Sequence, residues 1–394
     1  MDSYFLLNVG GALLTAGAVA WLRGRQFGMF TGVLLTMHTL VLLGLRDALD
    51  PLLPVLAYLQ GATFGHFLLL TRPRLRPLWY RALVSWPAHF WLAATFLAVP
   101  WAVAAAVGLP PVLWWLPFAT ALVGIVQSLR TDQEVVELVL DGRPVDGVQR
   151  VDAKRSRTEP ADRDALRIVQ ITDPHLGPFM SEDRLRGICE RAAQADPDLV
   201  LLTGDFFTME GKGSAGSLGR ALQPLAPLAG RTFACHGNHD LEDPRAVAAG
   251  LAAAGVRLLR DEWAAVETRR GPVQIVGLEH VWSRRDEHYA AVFGRVPEPG
   301  EALRIVLLHD PGGFKHLPEG DALVLSGHTH GGHVGLVSLG LDWTSIGAMA
   351  RMPDHGFWGR GTDRLYVHRA NGHYGFPLRV GVPSEESVLR VRRG

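Results

Sequence analysis

The chain has 394 residues, with 39 basic and 39 acidic side chains and a formal net charge of zero. That length has room for two or three domains, and the charge balance argues against a nucleic-acid binder working through a broad basic surface. The two cysteines, Cys189 and Cys235, stand in unrelated contexts, so they supply neither a disulfide framework nor a cysteine-based zinc site and read as buried thiols.

The even balance hides an asymmetry. Uncharged stretches run from Tyr4 to Leu22, from Gln26 to Leu45 and from Pro51 to Leu70, each about long enough to cross roughly 30 Å of hydrocarbon as a helix. From Ala82 to Leu129 no charge occurs, and Gly108-Leu109-Pro110-Pro111 breaks that run into two. Residues 1–130 therefore read as a transmembrane bundle of about five helices. A cleavable signal peptide fits poorly, because Met1-Asp2-Ser3 lacks a basic start and further spans follow. Arg23 and Arg25 follow the first span; Arg72, Arg74, Arg76 and Arg81 follow the third; Arg130, Arg143, Arg150 and Lys154 follow the fifth. Arginine-rich loops face the cytoplasm, which predicts an integral inner- or plasma-membrane protein with its C-terminal domain on the cytoplasmic side. His38, His66 and His89 fall inside the spans, either as functional groups or as neutral histidines hydrogen-bonded between helices.

Residues 131–165 hold one predicted strand, Glu134 to Leu140, and otherwise read as a linker. Residues 166–394 change character, with buried strands predicted at Leu166–Ile171, Leu199–Thr203, Thr232–Ala234, Val273–Gly277, Ile305–Leu308 and Ala322–Leu325. Helical patterns such as Glu182 to Ala195 and Pro244 to Ala254 fall between them, which implies an α/β layered domain. Five strand ends are followed in turn by Asp173-Pro174-His175, Gly204-Asp205, Gly237-Asn238-His239-Asp240, His309-Asp310 and Gly327-His328-Thr329-His330. These ends would bring oxygen and nitrogen ligands to one edge of a sheet. In extended chain, residues two apart point the same way, so Asp173 with His175, and His328 with His330, would each address one site. Mixed carboxylate, amide and imidazole ligands suit manganese, iron or zinc better than magnesium alone, and about seven of them suit two divalent metal ions better than one.

In this order, Asp-x-His, Gly-Asp, Gly-Asn-His-Asp, a later His and Gly-His-x-His resemble the calcineurin-like metallophosphoesterase family over about residues 166–335. The whole chain resembles its bacterial branch with transmembrane helices ahead of that domain. The resemblance implies an αββα sandwich behind an all-helical membrane bundle. It implies a first metal on Asp173, His175 and His330, a second on Asn238, His309 and His328, and Asp205 bridging them. His239 would lie beside the scissile phosphate, oriented by Asp240. Thr208 stands where the family often has a second aspartate. His368 and His373 read as structural or substrate-facing rather than as ligands. The implied activity is hydrolysis of a phosphodiester or pyrophosphate by a metal-bridging hydroxide, with a membrane lipid or nucleotide-lipid as the leading substrate and no nucleic-acid partner. The alternatives are a metal-binding sensor without turnover, or an accessory module to a transporter.

Overall fold

The computed structural model describes every residue except Met1, residues 159–163, residue 215 and residues 376–377. It divides into two compact units. One comprises Met1–Val126 with Met209–Gly211 and Gly375–Val380; the other comprises Gln127–Thr208, Lys212–Tyr374 and Gly381–Gly394.

In the helical unit, four helices are long and apolar enough to cross a membrane: Ser3–Arg23, Arg25–Gly44, Arg46–Leu70 and Leu78–Ala106. A fifth, Leu116–Ser128, has 13 residues. At 1.5 Å per residue it is about 20 Å long, short of the roughly 30 Å of a hydrocarbon core. The reason is that the break at Gly108 to Pro111 extends to Trp115, so the helix starts late in the uncharged run. The spanning helices hold polar groups on one another. Trp91 Nε1 donates to Gln60 Oε1 at 2.7 Å, the same oxygen lies 3.4 Å from His38 Nδ1, and Asn8 Nδ2 donates to Thr39 Oγ1 at 3.0 Å. Such bonds specify which helix faces meet where apolar burial cannot.

Among the described residues of the second unit, the strands are β1 (Thr131–Leu140), β2 (Val145–Arg150), β3 (Lys154–Ser156), β4 (Leu166–Ile171), β5 (Leu199–Leu202), β6 (Thr232–Ala234) and β7 (Arg257–Leu258), then β8 (Glu262–Thr268), β9 (Gly271–Gly277), β10 (Leu303–Leu307), β11 (Leu323–Ser326), β12 (Gly356–Gly361), β13 (Asp363–Val367) and β14 (Ser384–Arg393). They form two seven-stranded sheets, ordered β3-β1-β14-β4-β5-β6-β7 and β2-β12-β13-β11-β10-β9-β8. Strands β4 to β7 run parallel in the first, and β9, β10, β11 and β13 run parallel in the second. Their facing sides share one core that includes Ile168, Leu201 and Phe233 from one sheet and Ile275, Ile305, Leu325 and Tyr366 from the other. Helices cover both outer faces. Glu182–Gln194 is capped by Ser181, whose side chain accepts from Arg184 N at 3.1 Å, and it buries Leu185, Ile188, Cys189 and Ala192 at helical spacing. Both cysteines are buried free thiols. The result is a mixed αββα sandwich.

Residues 131–156 are not a loose connection; β1 and β3 join one sheet and β2 the other, while 159–163 of the expected linker lie outside the described residues. Their charges obscured this. Glu134 on β1 pairs with Arg155 on β3 and with Arg369, both at 2.5 Å, and Glu137 pairs with Arg390 on β14 at 3.5 Å. A strand whose carboxylates are met by arginines does not show an apolar alternation.

The centre of this network is Glu385 on β14, which is fully buried. Tyr366 Oη donates to its Oε1 at 2.7 Å, and Oε2 lies 3.2 Å from Arg369 Nε and 3.5 Å from Arg155 Nη1. Burial opposes its ionisation, but His368, Arg369 and Arg155 outweigh that and hold the carboxyl below the usual glutamate value. A depressed carboxyl contributes stability that is present above its unfolded value and lost as pH falls. Glu385→Ala, which strands buried arginines, is expected to cost about 3–5 kcal/mol and to lower the melting temperature by about 10 °C at neutral pH. Thermal unfolding of the detergent-purified protein checks this, and an unchanged melting temperature contradicts it.

Candidate metal centre

Parallel strands direct their C-terminal ends one way, and both sheets do so here at the same end of the sandwich. The loops after β4, β5 and β6 come from one sheet, and those after β10 and β11 from the other. The centre is therefore built between two sheets rather than along one sheet edge. Gln170 on β4 links them close by, its Nε2 donating to Ser326 O on β11 at 2.9 Å.

The backbone at the site is not extended. Asp173, His175, Asp205, His328 and His330 have φ of 47°, 48°, 59°, 69° and 51°. The strands end first, and single left-handed residues then turn each side chain into the cleft, so the convergence comes from turns and not from the two-residue strand repeat. Such conformations cost non-glycine residues of order 1–3 kcal/mol each and persist where the surroundings dictate them. Here backbone bonds do so: Asp173 N donates to Gly204 O at 2.9 Å and His175 N to Asp205 O at 3.2 Å. Gly327 is required by close approach, since a Cβ there would collide with the Asp173 carboxylate and the Thr172 hydroxyl.

Two groups of possible ligands result. Asp173, His175 and His330 form one, and Asp205, His309 and His328 the other; within each, the ligand atoms all lie within 4.8 Å of one another. Asp173 Oδ1 is 3.5 Å from His330 Nε2 and 3.8 Å from His175 Nε2. Asp205 Oδ2 lies between the groups, 3.6 Å from His175 Nε2 and 3.3 Å from His309 Nε2. His328 Nδ1 is 3.2 Å from His309 Nε2. His309 Nδ1 donates to Thr203 O at 2.6 Å, which leaves Nε2 to face the cleft. Asn238 sits on the loop after β6.

The donor set fits cations. Oδ1 of Asn238 is buried without a hydrogen-bond partner, and Nε2 of His175 faces two carboxylate oxygens at 3.6 and 3.8 Å without bonding either, a costly state that a bound ion relieves. The electrostatics agree. Burial lifts the Asp173 carboxyl to about 6 and depresses His175 to about 3. Burial also opposes the ionisation of Asp205 and His309, but each is charged by the other, so Asp205 is held low and His309 high. A cluster this buried needs positive charge beside its carboxylates.

The loop after β6 differs from expectation in one role. Asp240 does not orient the His239 ring. Its carboxylate is buried under backbone instead, accepting from Asp205 N at 2.7 Å and Gly237 N at 2.8 Å on Oδ2, and from Phe206 N at 2.8 Å on Oδ1. Glu242 takes the ring, with Oε1 3.0 Å from His239 Nδ1, and Tyr374 stacks on it with ring centroids 4.1 Å apart. The His239 bond, more than any other contact, draws the Glu242 carboxyl down to about 2. Sequence reasoning missed Glu242, Tyr374 and His280. The last lies 6.4 Å, ring to ring, from both His309 and His328. His280 follows the C-terminal end of β9, so the rule that found the other residues would have found it. His373 lies over His330 and His333, with ring centroids 6.3 and 5.6 Å away. His368 is buried 3.4 Å from Glu385.

Residues 166–332 match the family model described as calcineurin-like phosphoesterase. An uncharacterized metallophosphoesterase of Helicobacter pylori strain J99 is 28% identical over 232 residues, covering 57% of this chain and 60% of the relative. Phosphodiesterase YaeI of Escherichia coli K12 is 27% identical over 218 residues, covering 52% and 78%. The UDP-2,3-diacylglucosamine pyrophosphatase LpxG of Chlamydia muridarum is 41% identical over 76 residues, covering 19% and 22%. The chain thus spans 60% of the length of the Helicobacter relative. Metallophosphoesterases use two divalent ions, and the two ligand groups found here lie inside the matched residues. Residues 166–332 thus match a calcineurin-like phosphoesterase domain, preceded in the chain by four helices long and apolar enough to cross a membrane.

Proposed function

We propose that the protein is a membrane-anchored, dinuclear phosphohydrolase that cleaves a phosphodiester or pyrophosphate linkage, with a lipid-linked phosphate as substrate. The observation that carries this reading is the Asp205 carboxylate, which stands 3.6 Å from His175 in one ligand group and 3.3 Å from His309 in the other. In this reading Asp173, His175 and His330 hold one divalent ion, and Asn238, His309 and His328 the second, with Asp205 shared. Bound there, the ions supply Lewis-acid polarisation of the phosphoryl oxygens and activation of water.

The chain's own groups do the rest. His239 is the proton donor to the leaving oxygen. Its side chain is part-exposed, and Nδ1 donates to Glu242, so Nε2 is the atom presented to substrate. Tyr374 limits the ring's rotation from the other side. Asp240 is a positioning residue that sets the backbone of Asp205. The helices raise the concentration of membrane-borne phosphate esters at the domain. The names of YaeI and LpxG, a phosphodiesterase and a pyrophosphatase of a nucleotide-lipid, support the linkage class. The uncharged run from Val107 to Leu129, ending at Arg130, supports a fifth crossing by the short helix together with the turn before it. In this reading the arginine-rich loops lie inside and the catalytic domain is cytoplasmic.

Three outcomes are expected. Asp205→Asn abolishes hydrolysis of a chromogenic phosphodiester by the manganese-loaded protein and lowers its metal content. His239→Ala retains both ions but loses about 10²- to 10⁴-fold in kcat, and Glu242→Gln loses about tenfold in kcat with KM and metal content unchanged. A fully active His239→Ala would remove the proton-donor role. Metal-loaded protein that binds two ions yet cleaves neither diesters, monoesters nor lipid diphosphates would favour a sensor. Labelling of a cysteine introduced at the C-terminus in intact cells is expected to require a membrane-permeant reagent; reaction with an impermeant one would put the domain on the other side.

A further inference from the structure

A third convergence of metal-binding side chains belongs to the helical unit. His66 sits on the helix ending at Leu70, His89 on the helix ending at Ala106, and Glu210 in the short segment Met209–Gly211 that packs with this unit. The exposure of the three residues is 5%, 9% and 9%. Each offers one ligand atom within 4.8 Å of the other two. The His66 and His89 rings lie 4.7 Å apart at 71°, and Glu210 Oε1 is 3.3 Å from His66 Nδ1.

Three details separate this group from an ordinary buried hydrogen-bonded cluster. First, Glu210 Oε1 makes no hydrogen bond despite that short distance. Two ligand atoms each about 2.0–2.1 Å from a tetrahedral zinc ion are themselves about 3.3 Å apart, so the spacing is that of two ligands sharing a cation. Second, His89 Nδ1 lies 2.6 Å from the Ser85 carbonyl, to which it donates; this fixes the tautomer and leaves Nε2 as the lone-pair atom. Third, a carboxylate beside apolar helices is costly; Arg76 and Arg81 attract that of Glu210, but neither donates to its Oε1, and Arg76 donates its Nη2 to the carbonyls of Leu69 and Arg72.

We propose that His66, His89 and Glu210 form a third metal site, specific for a zinc-class divalent ion and separate from the phosphoesterase pair. Two imidazoles and one carboxylate are a borderline donor set that suits zinc, leaving a fourth position to water. Nothing in this assignment depends on the hydrolytic reading.

The test counts zinc. Full-length protein in detergent is stripped, reloaded with Zn²⁺, freed of excess ion by gel filtration, and assayed for zinc per folded chain by plasma mass spectrometry. Wild type is expected to retain three equivalents. Glu210→Gln and His89→Gln, close in shape to the residues they replace, are each expected to retain two, with phosphoesterase-site metal untouched. Asp205→Asn serves as the opposite control, losing zinc from the other centre while keeping the third equivalent. Zinc content unchanged in Glu210→Gln and His89→Gln would overturn the proposal and leave a polar packing cluster. If one variant does not fold, the other decides. Co²⁺ loading gives an independent readout, because visible absorption of cobalt in the Asp205→Asn protein should fall when Glu210→Gln is added, and an unchanged spectrum would likewise overturn it.

Discussion

The Asp240 carboxylate, buried beneath three backbone N–H groups, holds together the two loops on which the phosphoesterase centre rests. It accepts from Asp205 and Phe206 on the β5 loop and from Gly237 on the β6 loop. Asp205 returns the connection, with Oδ1 accepting from His239 N at 2.8 Å. Each carboxylate is therefore a structural part of the other's loop. Burial and the neighbouring Asp205 push the Asp240 carboxyl up to about 6, while the N–H groups pull the other way. The arrangement resists relaxation because moving either loop exposes several donors at once. That rigidity is what lets Asp205, in the left-handed region, keep its side chain between two ligand groups, each of which draws residues from both sheets.

Asp173, at the end of β4 in the same sheet, extends this logic to the β11 loop of the other sheet. Its carboxylate accepts from Thr172 Oγ1 at 2.7 Å and from His328 N at 3.0 Å. The first ligand loop thus fixes the backbone of the last one, about 150 residues away. Asn371 anchors the strand end before it, with Oδ1 accepting from Thr172 N and Nδ2 donating to Glu385 O, both at 2.8 Å. The buried ion cluster around Glu385 is in this way continuous with the centre. Strain at five left-handed residues is held by bonds that the ligands themselves make, which is why these side chains cannot be read as interchangeable with others of similar charge.

Much of this was legible in the sequence because strand ends carry a double signal. Apolar runs such as Leu199–Leu202 mark where a strand is buried, and a glycine with a ligand-type residue directly after it marks where it stops. The strands at Leu166–Ile171 and Thr232–Ala234 and the helices near Glu182 and Pro244 fall where that signal puts them. The signal fails where charge is satisfied by tertiary partners, as in β1, whose glutamates meet arginines from sequence-distant strands. It fails again at Asp240. Gly-Asn-His-Asp places the aspartate next to the histidine, and only the fold shows that its carboxylate turns to the backbone while Glu242, three residues on, reaches the ring. Left-handed backbone at Asp173 and His328 has no composition signature, so the two-residue spacing could not show how these side chains turn: Asp173 and His175 share a ligand group, while His328 and His330 fall in different ones. Helix length was misjudged at Leu116–Ser128 because an uncharged run says where charge is absent, not where the backbone begins to coil.

Buried polar atoms without partners recur in both units, and their surroundings sort them. Among the helices, His38 Nε2 and Gln60 Nε2 lack partners among the described residues, but their other atoms are engaged and neither residue belongs to a group of possible metal ligands found there. They are the residue of helix packing, where one good bond per side chain suffices to set a helix face. At His175 Nε2 and Glu210 Oε1 the partnerless atoms instead lie near other ligand-type atoms, with at least one carboxylate in the group. An apolar environment tolerates the first kind at modest cost, since a neutral imidazole or amide carries no net charge. It does not tolerate the second kind, where a negative charge and aligned lone pairs share a small volume, unless a cation is present. Convergence with charge, rather than burial alone, is the physical mark of a metal site in this chain.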